Sequence, residues 1–69
     1  MVNKVFIIED NIMYAAAMQQ ALANEPYDIE VFHSGQEFLD NLHRDPDVVT
    51  IDYMLPDMSG MYVLKKILE

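Results

Sequence analysis

The chain has 69 residues, no cysteine, and twelve acidic residues against four basic ones, for a net charge of −8. Zero cysteines exclude a disulfide scaffold and thiolate zinc sites. The acidic balance disfavours nucleic-acid phosphates and anionic membrane surfaces as partners. Hydrophobic residues at 52% and charged residues at 23% describe a globular chain rather than a disordered one. No apolar run approaches the ~20 residues of a membrane span. Met1-Val2-Asn3-Lys4 lacks the cationic start of a signal peptide, so a cytoplasmic location is expected. For so short a chain, apolar burial and chain entropy both come to on the order of 100 kcal/mol, leaving a lone monomer marginal. With disulfides excluded, a non-thiolate metal site or self-association is the expected staple.

In chain order, Val5-Phe6-Ile7-Ile8 is a short, non-alternating apolar run, which predicts a strand buried on both faces, ending in Glu9-Asp10. Residues 11–24 predict a helix, capped by Asp10 or Asn11, with Tyr14, Met18, Ala21 and Leu22 as its buried stripe. Asn24-Glu25-Pro26 stops it. Tyr27-Asp28-Ile29-Glu30-Val31 alternates apolar with acidic, as a half-exposed strand does. Ser34-Gly35-Gln36-Glu37 has capping-box spacing and opens a helix carrying Phe38, Leu39 and Leu42. Asp45-Pro46-Asp47 predicts a turn, and Val48-Val49-Thr50-Ile51 a third strand ending in Asp52. A loop over 53–60 then leads to a helix with Val63, Leu64, Ile67 and Leu68 at helical spacing. The order β-α-β-α-β-α with right-handed crossovers predicts a parallel sheet with helices on its faces, an α/β fold.

Two of the three predicted strands end in acid. In open α/β sheets ligands bind beyond the carboxyl ends of the strands. If the first and third strands are neighbours, Glu9, Asp10 and Asp52 converge, and a hard divalent cation such as Mg²⁺ is the natural neutraliser. The plainer reading of Asp10 is a helix cap, and Asp28, Glu30, Asp45 and Asp47 read as solvated surface.

These residues carry a resemblance. Lys4-Val5-Phe6-Ile7-Ile8-Glu9-Asp10-Asn11 resembles the opening of a bacterial response-regulator receiver domain. Residues 49–60, with Asp52, Pro56 and Gly60, resemble that family's phosphorylation-site segment. The resemblance covers the whole chain and implies a single partial receiver domain over 1–69. That means a truncated flavodoxin-like (βα)3 unit with a three-stranded parallel sheet of order 2-1-3 and helices on both faces. Units four and five have no counterpart here. It implies Asp52 as phosphoacceptor and Mg²⁺ held by Glu9, Asp10, Asp52 and the backbone carbonyl of Met54. It also implies a sensor histidine kinase as partner, in two-component phosphorelay signalling rather than as an enzyme. The family's Ser/Thr after strand four and Lys after strand five are not matched by any residue, and Lys65 and Lys66 fall on the third helix instead.

In the order 2-1-3 the third strand is an edge with neither charge nor proline to blunt pairing. A homodimer through that strand is therefore expected to complete the fold. The alternative function is a non-switching dimerisation or interaction scaffold derived from a receiver domain. A phosphohydrolase built on the same carboxylates is disfavoured because position 54 is Met rather than a second acid. Met13 and Met18 are expected in the core, Met54, Met58 and Met61 around the acidic loop, and His33 and His43 at the surface.

Overall fold

A computed structural model describes residues 3–69; Met1 and Val2, part of the segment read above for targeting signals, lie outside the described residues. Strands β1 (Asn3–Ile8), β2 (Tyr27–Phe32) and β3 (Val48–Ile51) form one parallel sheet in the order β2-β1-β3. Ile8 pairs with Phe32 on one side and Ile51 on the other, so all three strands point the same way and end together. Helices α1 (Ile12–Ala21), α2 (Gly35–Leu39) and α3 (Gly60–Ile67) follow the strands in turn. No helix among the described residues is long and apolar enough to cross a membrane.

The central position of β1 explains its unbroken apolar run. Alternate residues face opposite sides of a strand, so a strand covered on both faces needs apolar residues at every position. Val5 through Ile8 are all buried. Phe6 and Ile8 join Phe32, Phe38 of α2 and Val63 of α3 in the main core. The rings of Phe6, Phe32 and Phe38 meet edge to face, with centroids 4.9–6.2 Å apart. Val5 and Ile7 face the other side, where Leu22, just beyond α1, borders the same groove as Val5.

Several expectations need correction. Helix α1 is shorter than residues 11–24: after Ala21 the chain tightens into turns, with the Ala23 and Glu25 amides bonding to the Gln20 and Leu22 carbonyls. Its inward side is Ala15, Met18 and Leu22, while Tyr14 (67% exposed) and Ala21 face solvent. Met13 is 83% exposed and not in the core. A small alanine lets the helix sit close to the sheet, which the bulk of Tyr14 would prevent. The second predicted helix is broken: α2 ends at Leu39, and Leu42–Arg44 form a separate 3₁₀ turn. Of the four apolar residues read at helical spacing, Val63 is buried and Ile67 half-buried, while Leu64 and Leu68, the residue that caps α3, are exposed.

Two acids read as solvated surface have partners. Glu30 forms a two-pronged ion pair with Arg44, with Nη1 2.9 Å from Oε1. The Asp47 carboxylate accepts from the Lys4 amide at 2.7 Å, and the Asp47 amide donates to the Lys4 carbonyl at 2.8 Å. Asp47 thereby extends the β1–β3 ladder at its amino end. Val48 remains 49% exposed, because β3 has no neighbour on its outer side among the described residues.

Candidate metal and phosphoacceptor site

The site is built by two adjacent strand ends. The backbone ladder runs one residue past both strands: the Glu9 amide donates to the Phe32 carbonyl (2.9 Å) and the Asp52 amide to the Ile8 carbonyl (3.2 Å). Glu9 and Asp52 therefore stand side by side. With Asp10 they bring one carboxylate oxygen each to within 4.8 Å of one another. Glu9 and Asp52 are half-buried and Asp10 is exposed. The helix cap is Asn11, whose Oδ1 accepts from the Tyr14 amide at 3.0 Å; this leaves Asp10 free of that role.

After Asp52 the chain makes a closed loop. Met54 bridges to Ser59, the Gly60 amide donates to the Tyr53 carbonyl (2.8 Å), and the Leu55 amide to the Met58 carbonyl (3.2 Å). Ser59 then caps α3, its Oγ accepting from the Tyr62 amide at 3.1 Å. Gly60 lies against the strand end: a Cβ there would come within 2.5 Å of the Asp52 carbonyl oxygen. Sequence reasoning placed Gly60 at the loop's end. The reason for glycine is this close approach, which spacing does not reveal.

Sequence reasoning missed Asp57. Its two carboxylate oxygens accept from the Gly35 and Gln36 amides, both at 2.9 Å, at the first turn of α2. Ser34 Oγ accepts from the Glu37 amide as the capping spacing predicts. No sequence signal marked Asp57, because the α2 amides that it serves lie 21 and 22 residues away and carry no side-chain signature.

Partial burial, followed by the neighbouring Asp52 and Asp10 carboxylates, pushes the Glu9 carboxyl above its ordinary value, against the Asn11 amide that bonds it. Hydrogen bonding to Arg44 holds Glu30 below its ordinary value, and the Gln36 and Gly35 amides do the same for Asp57. A raised carboxyl favours the fold fully below its unfolded pKa, 4.5 for Glu9, and this contribution is lost as pH rises through the folded value. A lowered carboxyl does the reverse: its contribution is present above 4.5 for Glu30 and 3.8 for Asp57, and is lost as pH falls through the folded values. Metal-free stability should therefore rise as pH falls from 7 and turn over near 4.5. Urea midpoints across pH 3–7 in a chelator check this, and a monotonic fall from pH 7 contradicts it.

The donor set fits Mg²⁺. It is all oxygen, it carries three carboxylates, and its exposure leaves room for the waters this ion keeps. The like charges that raise Glu9 are those a divalent cation offsets.

Residues 5–69 match the family model described as the response regulator receiver domain. The transcriptional regulatory protein TrcR of Mycobacterium tuberculosis is 34% identical over 67 residues, covering 96% of this chain and 26% of that protein. The regulatory protein LuxO of Vibrio vulnificus is 39% identical over 59 residues, covering 84% of this chain and 13% of that protein. Among solved structures, the receiver domain of a LuxO-type repressor from Vibrio parahaemolyticus superposes with a TM-score of 0.94 at 33% identity, covering 99% of this chain and 53% of that one. The receiver domain of the Francisella response regulator 1452 gives 0.88 at 27% identity, covering 96% and 55%. The chain thus spans about a quarter or less of these curated relatives and about half of these solved receiver domains. The chain belongs to the response regulator receiver domain family.

Proposed function

We propose that the chain is a phosphoacceptor module of phosphorelay signalling, taking a phosphoryl group on Asp52 with Mg²⁺ held by Glu9, Asp10, Asp52 and the Met54 carbonyl. The observation that carries this reading is the convergence of the three carboxylates from two adjacent strand ends. When bound, the cation offsets the charge of the attacking carboxylate and the phosphoryl oxygens. An Asp52 oxygen forms a bond to phosphorus while the donor's bond to phosphorus breaks and the donor leaves with its electron pair. The donor is acetyl phosphate or the phosphohistidine of a sensor kinase. The chain is a signalling acceptor in the cytoplasm rather than a turnover enzyme. Incubation with acetyl phosphate and Mg²⁺ should add one phosphoryl group by intact mass, and a chelator should prevent it. No mass increment with Mg²⁺ present removes this reading.

The open edge of β3 favours a second reading, a homodimerising scaffold. An apolar groove of about 190 Å³, lined by Ile51, Tyr53, Gly60, Met61 and Leu64, lies along the same side. A two-fold pairing of β3 edges is antiparallel and brings Asp47 of one copy toward Asp52 of the other. Such a dimer should therefore tighten with salt, which screens the repulsion. Light scattering at micromolar protein that finds a folded monomer at both low and high salt defeats this reading.

A further inference from the structure

We propose that Asp57 is a positioning residue: its carboxylate ties the loop 53–59 to the first turn of α2 and so fixes the backbone carrying Asp52 and Met54. The loop is closed at its base by the Met54–Ser59 bridge and the Gly60–Tyr53 hydrogen bond. These bonds set the loop's shape, and Leu55 and Met58 pack it against the core. The tip adds a polar constraint. Asp57 Oδ1 and Oδ2 accept from two successive amides of α2, Gly35 and Gln36, each at 2.9 Å. Two parallel bonds fix orientation as well as distance, which one bond does not. The Met58 side chain packs over Gly35 at the same place, where a Cβ would come within 2.5 Å of its Cγ and Sδ. Gly35 is buried by this contact. The bonds are also ones that α2 needs, because the first amides of a helix have no partner within it. Ser34 Oγ serves the Glu37 amide and leaves Gly35 and Gln36 to Asp57. One carboxylate thus completes α2 and holds the loop that begins at the acidic cluster.

The consequence is a two-way coupling. If the tied loop is the metal-competent one, Mg²⁺ at the cluster must tighten the Asp57 tie to the same degree that the tie tightens Mg²⁺ binding. The arrival of a cation is then felt at the start of α2. The metal half of this inference rests on the reading of the pocket given above, and the loop half does not.

The test compares the full native chain with Asp57→Ala and Ser34→Ala. Both variants remove acceptors from the first turn of α2, and only Asp57→Ala releases the loop. In Asp57→Ala, amide hydrogen exchange at Leu55 and Gly60 should quicken about tenfold and the Mg²⁺ dissociation constant should rise about tenfold, within the usual range of coupling between sites. In Ser34→Ala both should stay within about twofold of native, as for sites that share no partner. Equal effects of the two variants, or unchanged exchange in Asp57→Ala, overturn the proposal. Should Asp57→Ala fail to fold, Asp57→Asn, which keeps one acceptor oxygen, is read in the same exchange experiment, where native-like exchange at Leu55 and Gly60 again overturns it. A native chain that does not respond to Mg²⁺ removes the metal reading, while the exchange result still decides the role of Asp57 in the loop.

Discussion

Asp52→Asn is expected to abolish phosphoryl acceptance while making the metal-free fold more stable. The first effect follows from the chemistry of the group. An amide oxygen is a poor nucleophile toward phosphorus, and no other carboxylate occupies the end of β3. Incorporation from acetyl phosphate should fall by at least about 10²-fold, the scale expected when a covalent nucleophile is removed. The second effect follows from crowding. Asp52, Glu9 and Asp10 bring carboxylate oxygens within 4.8 Å of one another, and Glu9 is raised in part by Asp52. Removing one of three like charges near the surface should stabilise the fold by about 1 kcal/mol at neutral pH and low salt. The gain should shrink in salt, which screens half-exposed charges. The two effects have opposite signs, which separates loss of the acceptor from simple damage to the fold. Intact mass after acetyl phosphate treatment reads the first, and urea midpoints in a chelator read the second. A variant that still gains a phosphoryl group would move the acceptor elsewhere. A variant that loses stability would show that Asp52 contributes to the apo fold through bonds that outweigh its repulsion.

How much of this was legible in the sequence depended on the range of the interaction. Val5-Phe6-Ile7-Ile8 announced a central strand because burial on both faces leaves no room for polar residues. The acids after β1 and β3 announced a site because strand ends collect at one edge of a parallel sheet. The start of α2 followed from Ser34, whose cap is local, and α3 from the helical spacing of its apolar residues; the Ser59 cap appeared only in the structure. The inward side of α1 was misread because Tyr14 and Ala15 are both compatible with helical spacing. Which of them faces the sheet depends on how closely the helix approaches. The break after Leu39 was missed because Leu42 continues the apolar period, although the backbone turns at Asp40. Glu30 and Asp47 read as solvated acids, and Asp57 drew no reading, because their partners, Arg44, the Lys4 amide and the α2 amides, lie 14 to 43 residues away or sit on the backbone. Backbone amides carry no sequence signature, so a carboxylate that satisfies them is invisible until the elements are placed. The open edge of β3 showed in its exposure: Val48-Val49-Thr50-Ile51 has the composition of a doubly covered strand, yet none of its four residues is buried.

Phe6→Ala should leave most molecules unfolded in the absence of Mg²⁺. Phe6 is fully buried, its ring meets Phe32 and Phe38 edge to face, and the Arg44 guanidinium lies 5.3 Å from the ring centroid. Truncating such a side chain costs about 3–5 kcal/mol, because the transfer term is joined by a cavity that close-packed neighbours fill poorly. A chain of this length is expected to have a total stability of roughly 3–10 kcal/mol. The near cancellation of burial and chain entropy in so short a chain places it at the lower end of that range, where the loss takes all of it. Phe6→Leu keeps an apolar group in the space and should cost about 1.5 kcal/mol, so it should remain folded. Because Glu9 and Asp10 follow directly on β1, three and four residues after Phe6, the core and the pocket form and fail together. A cation that binds only the folded chain at a hundred times its dissociation constant adds about 2.7 kcal/mol, enough to recover much of the lost stability. Circular dichroism of Phe6→Ala should thus show a largely unfolded chain in chelator and a partly refolded one in saturating Mg²⁺. The added Asp52→Asn substitution should weaken that rescue, since it removes one of the proposed ligands. Refolding that is equally strong in the double variant would place the cation outside the strand-end cluster. A Phe6→Ala chain that stays folded in chelator would mean that the core relaxes into the space left by the ring.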